Sequence, residues 1–382
     1  MSFKHLITNT FAAAGVRIDG DRPWDIRVNT DRFFQRAARG PLGLGESYMD
    51  GDWDVESLDA LFRNIISSDL AGSAISKINM IRLALRARLS NLQTRKRSRA
   101  VVETHYDLDH RMYEKFLGPY NQYTCCFFDG TDDLEEAEII KLEMLCNKLE
   151  ITATDKVLDI GCGWGGFAKY AASHHGCEIT GITLSKEQAA YAREYTAGLP
   201  VEIIVSDYRD LSVSLGRKFD KILICGMIEH VGYKNYRKLM KIVSGFLQDR
   251  GLVLLHTIGN TQETSVTDPW IEKYIFRNSM IPSMRQLIGA CRGLFVMHDW
   301  ENYGHYYSKT LSAWQQNFER NWDAIKALQS KRAFDERFRR MWNYYLLASK
   351  AAFDVESLLL WQIVMSKVGC RDAVYGRVNL RY

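Results

Sequence analysis

No two cysteines in this chain stand in a C-x-x-C spacing, although eight are present, at positions 125, 126, 146, 162, 177, 225, 291 and 370. That absence argues against a zinc site or a disulfide framework, so reduced thiols and no metal are expected. Long apolar runs are missing too, and none approaches the ~20 residues needed to cross a bilayer. The opening stretch MSFKHLITNTFAAAG lacks the compact apolar region and cleavage pattern of a secretory signal, which makes the cytoplasm the expected compartment. The sequence has no internal repeat and no low-complexity tract. What remains is a globular chain of 382 residues, 46% hydrophobic and 25% charged, long enough to bury a full core and more in keeping with two domains than one.

Acidic residues are absent between Asp69 and Glu103, a span that carries Lys77, Arg82, Arg86, Arg88, Arg95, Lys96, Arg97 and Arg99 in a protein whose net charge is only +4. Within it Ile78, Ile81, Leu85, Leu89 and Leu92 recur every three or four residues, the period of a helix with one apolar and one basic face. Such a face suits a solvated helix on a small N-terminal domain, or a surface that meets anionic lipid headgroups. Nucleic acid is the weaker reading, because aromatics are not interleaved with the basic residues. The stretch GPLGLGESYMDGDWD (40–54) reads as a glycine-rich turn region followed by acidic and aromatic residues, and RKRSR (95–99) as an exposed connection. These features divide the chain into an N-terminal domain (1–90), a basic linker (91–104) and a larger domain (105–382).

The larger domain alternates short β-rich runs with helical segments. KVLDI (156–160), EITGITL (178–184), VEIIVS (201–206), KILIC (221–225) and GLVLLHT (251–257) predict a mainly parallel, doubly wound α/β sheet. The first run opens into GCGWGG, where Gly161, Gly163 and Gly166 satisfy G-x-G-x-x-G between a strand and a helix, a context in which backbone can approach a cofactor closely. A nicotinamide cofactor would need a carboxylate at the end of the next strand, but Gly181-Ile182-Thr183 stands there. Asp159 instead precedes the first glycine and Asp207 follows the third strand, placements that suit a cationic amino acid tail and an adenine amino group. Each aspartate alone fits a cap or turn equally well, and their joint placement favours S-adenosylmethionine. The fourth run continues into Gly-Met-Ile-Glu-His, so Glu229 and His230 fall just past a strand end, at the edge where open α/β sheets bind ligands.

Read together, YTCCFF (123–128), LDIGCGWGG (158–166), GITLSKEQ (181–188), DYRD (207–210), CGMIEHVG (225–232), LLHTIG (254–259), DPWIEKYIFRNSMIPS (268–283) and NYGHYYSKTLSAW (302–314) resemble the bacterial cyclopropane-fatty-acyl-phospholipid synthases. The likeness extends to GLGESYMDG (43–51) and runs through nearly the whole chain. The glycine loop is generic to methyltransferases, whereas YTCC, EHVG and LLHTIG in this order are specific. The resemblance implies a Rossmann-like class I S-adenosylmethionine methyltransferase domain with a smaller N-terminal lipid-binding domain. It implies methylene transfer to a cis double bond in membrane phospholipids with unsaturated acyl chains, with bound bicarbonate as the base. A homodimer, peripheral association with the inner face of the membrane and no nucleic-acid partner belong to the same expectation.

Carried over position by position, the resemblance makes Cys125, Glu229, His256 and Tyr307 the bicarbonate ligands. It assigns S-adenosylmethionine to Tyr123 and Thr124, to Leu158, Asp159, Ile160, Gly161, Cys162, Gly163, Trp164, Gly165 and Gly166, to Thr183 and Gln188, and to Asp207 and Tyr208. Taken alone, Cys125 reads as a small core residue, His256 as a satisfied strand histidine and Tyr307 as one of several aromatics; His230 reads as structural. The chemistry supports the grouping. An alkene is a poor nucleophile, so a sulfonium methyl is the electrophile it needs, and ring closure then requires a base that reaches buried hydrocarbon. A charged base is costly there unless hydrogen bonds fix it. If the fourth and fifth strands are neighbours at about 5 Å, Glu229 and His256 converge on one pocket. One position departs: Ser349 in YYLLASKAAF (344–353) stands where many family members have cysteine, which argues against an obligatory covalent thiolate. A lipid methyltransferase with a branched or methylene product and a non-catalytic lipid-binding protein are the alternatives.

Overall fold

The computed structural model describes residues 3–68, 93, 109–211, 216–263, 267–330, 332–370 and 375. The basic helix expected between Lys77 and Arg99, with the linker and the domain boundary near residue 90, lies outside these residues except for Gln93. The chain begins with α1 (Phe3–Ala13), β1 (Arg27–Val28), α2 (Arg32–Ala37), α3 (Pro41–Met49), β2 (Trp53–Asp54) and α4 (Leu58–Ser67), and β1 pairs with β2 antiparallel.

Helix α3 corrects the turn expected over 40–54. Pro41 begins it, where a missing N–H costs nothing, and Gly43 and Gly45 sit inside it. A Cβ at Gly43 would lie 1.9 Å from the carbonyl oxygen of Arg36, and one at Gly45 2.3 Å from the indole of Trp270. These glycines therefore allow close packing of the helix. The turn itself is confined to the residues after it, where Gly51 adopts φ 75°.

From residue 109 onward come α5 (His110–Tyr113) and α6 (Leu134–Lys148), then alternating β3 (Lys156–Ile160), α7 (Gly166–His175), β4 (Glu178–Thr183), α8 (Lys186–Tyr195), β5 (Val201–Val205), β6 (Phe219–Cys225), α9 (Tyr233–Phe246) and β7 (Leu247–Gly259). All five expected strands form, and they lie parallel in the order β5-β4-β3-β6-β7. The sheet does not stop there. After α10 (Pro269–Tyr274) and α11 (Met284–Cys291), β8 (Phe295–Asn302) forms; α12 (Gly304–Arg320), α13 (Trp322–Lys326), α14 (Glu336–Asp354) and β9 (Leu359–Lys367) follow. Strand β9 inserts between β7 and β8, antiparallel to both, giving seven strands in the order β5-β4-β3-β6-β7-β9-β8.

Both faces of the sheet are covered, as a mainly parallel sheet requires. Leu142 and Leu145 of α6 pack with Val157, Leu223, Leu254 and Val364 on one face, while Leu239 and Val243 of α9 pack with Leu158, Ile222, Val253 and Ile363 on the other. The N-terminal elements share an aromatic-rich core with α12 and α14, in which Phe33, Trp53 and Leu61 join Trp314, Trp342 and Phe353. Arg340 on α14 fastens this contact by donating to the carbonyls of Tyr48 and Trp53 at 2.5 and 2.8 Å. Tyr344, one turn on, stands with its ring centroid 4.4 Å from that of Trp270.

The packing of α3 yields a pair of opposite expectations. Gly45→Ala forces a methyl against a rigid, buried indole and should cost about 1–3 kcal/mol. Gly245→Ala in α9, where an added Cβ meets nothing within 4 Å, should instead stabilise by about 0.5 kcal/mol. Denaturant midpoints at constant slope would measure both, and equal shifts would refute the packing role of Gly45.

Candidate active site

A cleft opens at the carboxyl ends of β3, β4, β5 and β6, where the strand order reverses between β3 and β6. Each glycine of the loop after β3 has its own reason. Gly161 turns the chain at φ 94°, and a Cβ there would lie 2.8 Å from Met227. Gly163 faces open space at φ 54° and lines the cleft, so its bare backbone is what a ligand would meet. Gly166 begins α7 so close to the loop before α6 that a Cβ would fall 1.9 Å from the carbonyl oxygen of Tyr120. Gly165, at φ 84°, caps the helix.

Not every residue of the Leu158–Gly166 run faces the cleft. Ile160, Gly161 and Gly163 line it. Leu158 is fully buried in the sheet's core, Cys162 packs with Ala189, Ala192 and Ile203, and Trp164 lies against Tyr113 and Tyr191. Strand alternation and the turn at Gly161 send those side chains away from the ligand side. Asp159 is buried at the strand end, and burial pushes its carboxyl up to about 7 against the pull of Lys141.

The opposite wall holds Thr183 and Gln188, whose side chains bond to each other at 2.8 Å, beside Asp207 and Tyr208. Asp207 is clamped by Arg209, with Nε donating to Oδ1 at 2.7 Å and Nη2 to Oδ2 at 2.5 Å, so the carboxylate is fixed in place beside the cleft. His230 also lines the cleft. Tyr123 and Thr124 stand deeper: the Thr124 methyl abuts Gly226, its hydroxyl accepts from the Cys225 thiol at 3.8 Å, and Tyr123 donates to the Tyr345 hydroxyl at 3.0 Å.

Behind Gly226 lies a group of buried polar side chains. Strands β6 and β7 are neighbours with Cys225 opposite His256, and the N–H of Gly226 donates to the His256 carbonyl at 2.9 Å. A short 3₁₀ turn at Ile228–His230 swings Glu229 back over β7, where its Oε1 accepts from the N–H of Ile258 at 2.8 Å. The N–H of Met280 holds the same turn through the Glu229 carbonyl at 2.7 Å. Helix α12 brings in Tyr307 and, three residues on, Thr310, whose hydroxyl lies 3.8 Å from the Cys125 sulfur and accepts from the N–H of Cys126 at 3.0 Å. Cys125, Glu229, His256 and Tyr307 are all buried.

The electrostatics follow from that burial. Glu229 is pushed up by desolvation, opposed by its own backbone N–H, the Ile258 N–H and the Thr257 hydroxyl. His256 is held well below its ordinary value, first by desolvation and then by the charges of Lys141 and Lys148, so the imidazole is neutral. Burial raises Tyr307 and Cys125 far above their usual range, which keeps the phenol and the thiol protonated. Glu229 Oε2 and His256 Nε2 are buried with no hydrogen-bond partner among the described residues. Each such atom costs about 1–3 kcal/mol when left unmatched, so the pocket suits a small ligand that can both donate and accept. Bicarbonate, with one O–H and carbonyl-type oxygens, fits that donor set.

Sequence reasoning missed the backbone N–H of Ile258, the buried Lys141 of α6, and Gln362 of β9, which reaches His256 Nδ1 at 3.2 Å. No local pattern marks Gln362, which lies 106 positions from its partner. Ser349 is half-buried on α14, one turn past the Tyr345 that bonds Tyr123.

Residues 93–363 match the family model described as mycolic acid cyclopropane synthetase. The chain is 42% identical over 355 residues to the cyclopropane-fatty-acyl-phospholipid synthase of Escherichia coli K12, covering 93% of this chain and 91% of that one. It is 30% identical to the tuberculostearic acid methyltransferase of Mycobacterium tuberculosis, over 89% of this chain and 82% of the relative. The solved cyclopropane synthase MmaA2 from Mycobacterium tuberculosis shares the fold, with a TM-score of 0.64 at 24% identity over 73% of this chain and all of that one.

Two expectations test the cleft. Gly163→Val places a branched side chain in the space a ligand would use, at a backbone angle hostile to β-branching, and should abolish S-adenosylmethionine binding in calorimetry; unchanged affinity in a folded variant would exclude this cleft. The second concerns Asp159, whose carboxyl burial pushes up to about 7. A cationic ligand favours its ionised form and lowers that value, so binding should release part of a proton at and below about pH 7, tighten as pH rises toward 7 and level off above it. Calorimetry in buffers of differing ionisation enthalpy reads the release, and Asp159→Asn should eliminate it.

Proposed function

The chain belongs to the mycolic acid cyclopropane synthetase family, and from that premise we propose how its pocket serves the reaction. It is an S-adenosylmethionine-dependent methyltransferase that cyclopropanates unsaturated fatty acyl chains of phospholipid. The finer part of the proposal is that Cys125, Glu229, His256 and Tyr307 hold bicarbonate as the base. One observation carries it: Glu229 Oε2 and His256 Nε2 are both buried without a partner among the described residues.

S-adenosylmethionine supplies a methyl electrophilic enough for an alkene, and bicarbonate supplies a base for the proton that this methyl must lose. The chain's own residues do the rest. Gly161 and Gly163 let backbone close on the cofactor, and Asp159 stabilises positive charge at the strand end. The Ile258 N–H fixes Glu229 so that its second oxygen faces the pocket. His256 stays neutral and offers a ring nitrogen without adding charge. Tyr307, Trp314, Tyr123 and Phe353 stand ring to ring, with centroids 6.1 Å apart for Tyr307 and Trp314, 5.3 Å for Tyr123 and Trp314, and 4.6 Å for Tyr307 and Phe353. That aromatic wall excludes water, and its π faces favour positive charge on the reacting carbon.

The substrate's chemistry supports the remaining parts of this reading. A double bond within a leaflet obliges the enzyme to work at a membrane surface, and among the described residues no helix is long and apolar enough to cross one. Peripheral association with the inner face, the N-terminal region (1–90) as the lipid-binding part, the catalytic part at 105–382 and a homodimer as working unit complete the proposal.

Glu229→Gln keeps the side chain's shape and removes its charge, so turnover should fall roughly 10²- to 10⁴-fold while S-adenosylmethionine affinity stays near wild type. Turnover is read on vesicles of a cis-unsaturated phospholipid, with product mass and proton NMR separating a ring from a methyl branch or an exocyclic methylene. Wild-type turnover that survives removal of bicarbonate would overturn the proposed base.

A further inference from the structure

The polar pocket is one end of a longer row. Hydrogen-bonding registers align Cys225 with His256, His256 with Gln362, and Gln362 with Glu301, so β6, β7, β9 and β8 carry four polar side chains in one line across adjacent strands. Strand alternation puts them on the face that α6 covers, together with Leu254 and Val364. His256 and Gln362 are 2% and 1% exposed. Gln362 Nε2 lies 3.2 Å from His256 Nδ1. At the far end Glu301 is held by Lys148 and by the Tyr303 hydroxyl, the latter at 2.6 Å.

A neutral imidazole carries one ring proton, and what meets one nitrogen decides which of the two bears it. We propose that Gln362 is a positioning residue for the reaction: its amide N–H donates to His256 Nδ1, which fixes the imidazole as the Nε2–H tautomer and aims that N–H into the pocket beside Glu229. The reverse amide orientation would put the carbonyl on an Nδ1–H. Nε2 would then offer a lone pair next to a carboxylate oxygen, leaving two acceptors facing an anion and no donor.

Gln362 suits this task because its amide carries no charge. The charges that act on His256 are already those of Lys141 and Lys148 from α6, and Glu301 of β8 stands beyond Gln362 in the same row. A carboxylate at position 362 could only accept, and would draw the proton to Nδ1 or charge the ring. Gln362 Oε1, buried and without a partner among the described residues, is the cost of holding the amide this way round.

The catalytic consequence rests on the bicarbonate reading above, whereas the tautomer does not. The test is ¹⁵N NMR on the full chain labelled at histidine, without either substrate, with His256→Asn identifying the signal among the nine histidines. Wild type should show the Nε2–H pattern, unchanged across neutral pH. Gln362→Glu should move the proton to Nδ1 or produce a titrating ring, and Gln362→Leu should give a mixture. In turnover assays Gln362→Leu should raise the KM for bicarbonate about 10- to 100-fold, the loss typical when a ligand residue's outer hydrogen bond is removed, with S-adenosylmethionine affinity unchanged. An Nδ1–H pattern in wild type, or a pattern indifferent to Gln362→Glu, overturns the proposal. Should Gln362→Leu fail to fold, the near-isosteric Gln362→Glu decides alone. Turnover independent of bicarbonate in wild type would strike the base assignment and leave the NMR result to judge Gln362.

Discussion

A carboxyl group enclosed by apolar side chains is tolerated only when hydrogen bonds hold it, because desolvation costs several kcal/mol. The bond from the Ile258 N–H to Glu229 Oε1 is that support, and much of the fold serves to make it. Strand β7 must run on past the C-terminal edge of β6 to present residue 258. The chain after β6 must turn back through Ile228–His230 to lay Glu229 across it, and Met280 must brace the turn from outside. Register between β6 and β7 then places His256 at the same depth, since Cys225 is its neighbour in the sheet. A one-residue slip would turn His256 to the α9 face and leave Glu229 without its partner.

The site is thereby divided into two media. The outer cleft is lined by bare backbone at Gly161 and Gly163, with open space where a Cβ at Gly163 would stand. The inner pocket uses aromatic rings and a few buried polar atoms. Gly226 lies between them, with the Thr124 methyl against it. The two media need each other. Under the proposed reaction a sulfonium methyl in the cleft would have to reach hydrocarbon on the inner side, which needs a thin boundary between them. Lys141, buried on α6 and bonded to Gln122 Oε1 at 2.6 Å, lies close enough to bias both sides, since its charge acts on Asp159 in one and on His256 in the other.

How legible this was varies with the range of the interactions. The five parallel strands could be read because each is a short β-rich run bounded by turn signals, and the fourth and fifth are neighbours, as the expected meeting of Glu229 and His256 required. Strands β8 and β9 escaped notice. FVMHDWEN mixes polar and aromatic residues as an edge strand does, and LLWQIVMSK is an apolar run that periodicity alone cannot tell from a helix. The glycines of α3 misled for a related reason: Gly43 and Gly45 look like turn residues until the Arg36 carbonyl and the Trp270 indole stand against them, and Trp270 lies far along the chain. Within the glycine loop the motif identified the turn but not which side chains line the cleft, because those of Leu158, Cys162 and Trp164 pack elsewhere through strand alternation and the helix start.

The two antiparallel strands give the sheet a property that a purely parallel one would lack. Had the sheet ended at β7, His256 would sit on an edge strand, and its Nδ1 would meet a helix side chain or water, either of which can rotate and change the tautomer. Inserting β9 replaces that uncertain neighbour with a residue locked in register by hydrogen bonds on both sides. The row then has to end somewhere, and it ends in charge: Lys148, buried at the last turn of α6, with Glu301 and Tyr303. A buried ammonium needs such partners to stay folded in place, and its charge adds to desolvation and to Lys141 in keeping His256 neutral. Neutrality makes the tautomer matter, and the amide of Gln362 selects it. The outermost strands of the sheet therefore set the state of a nitrogen at its centre.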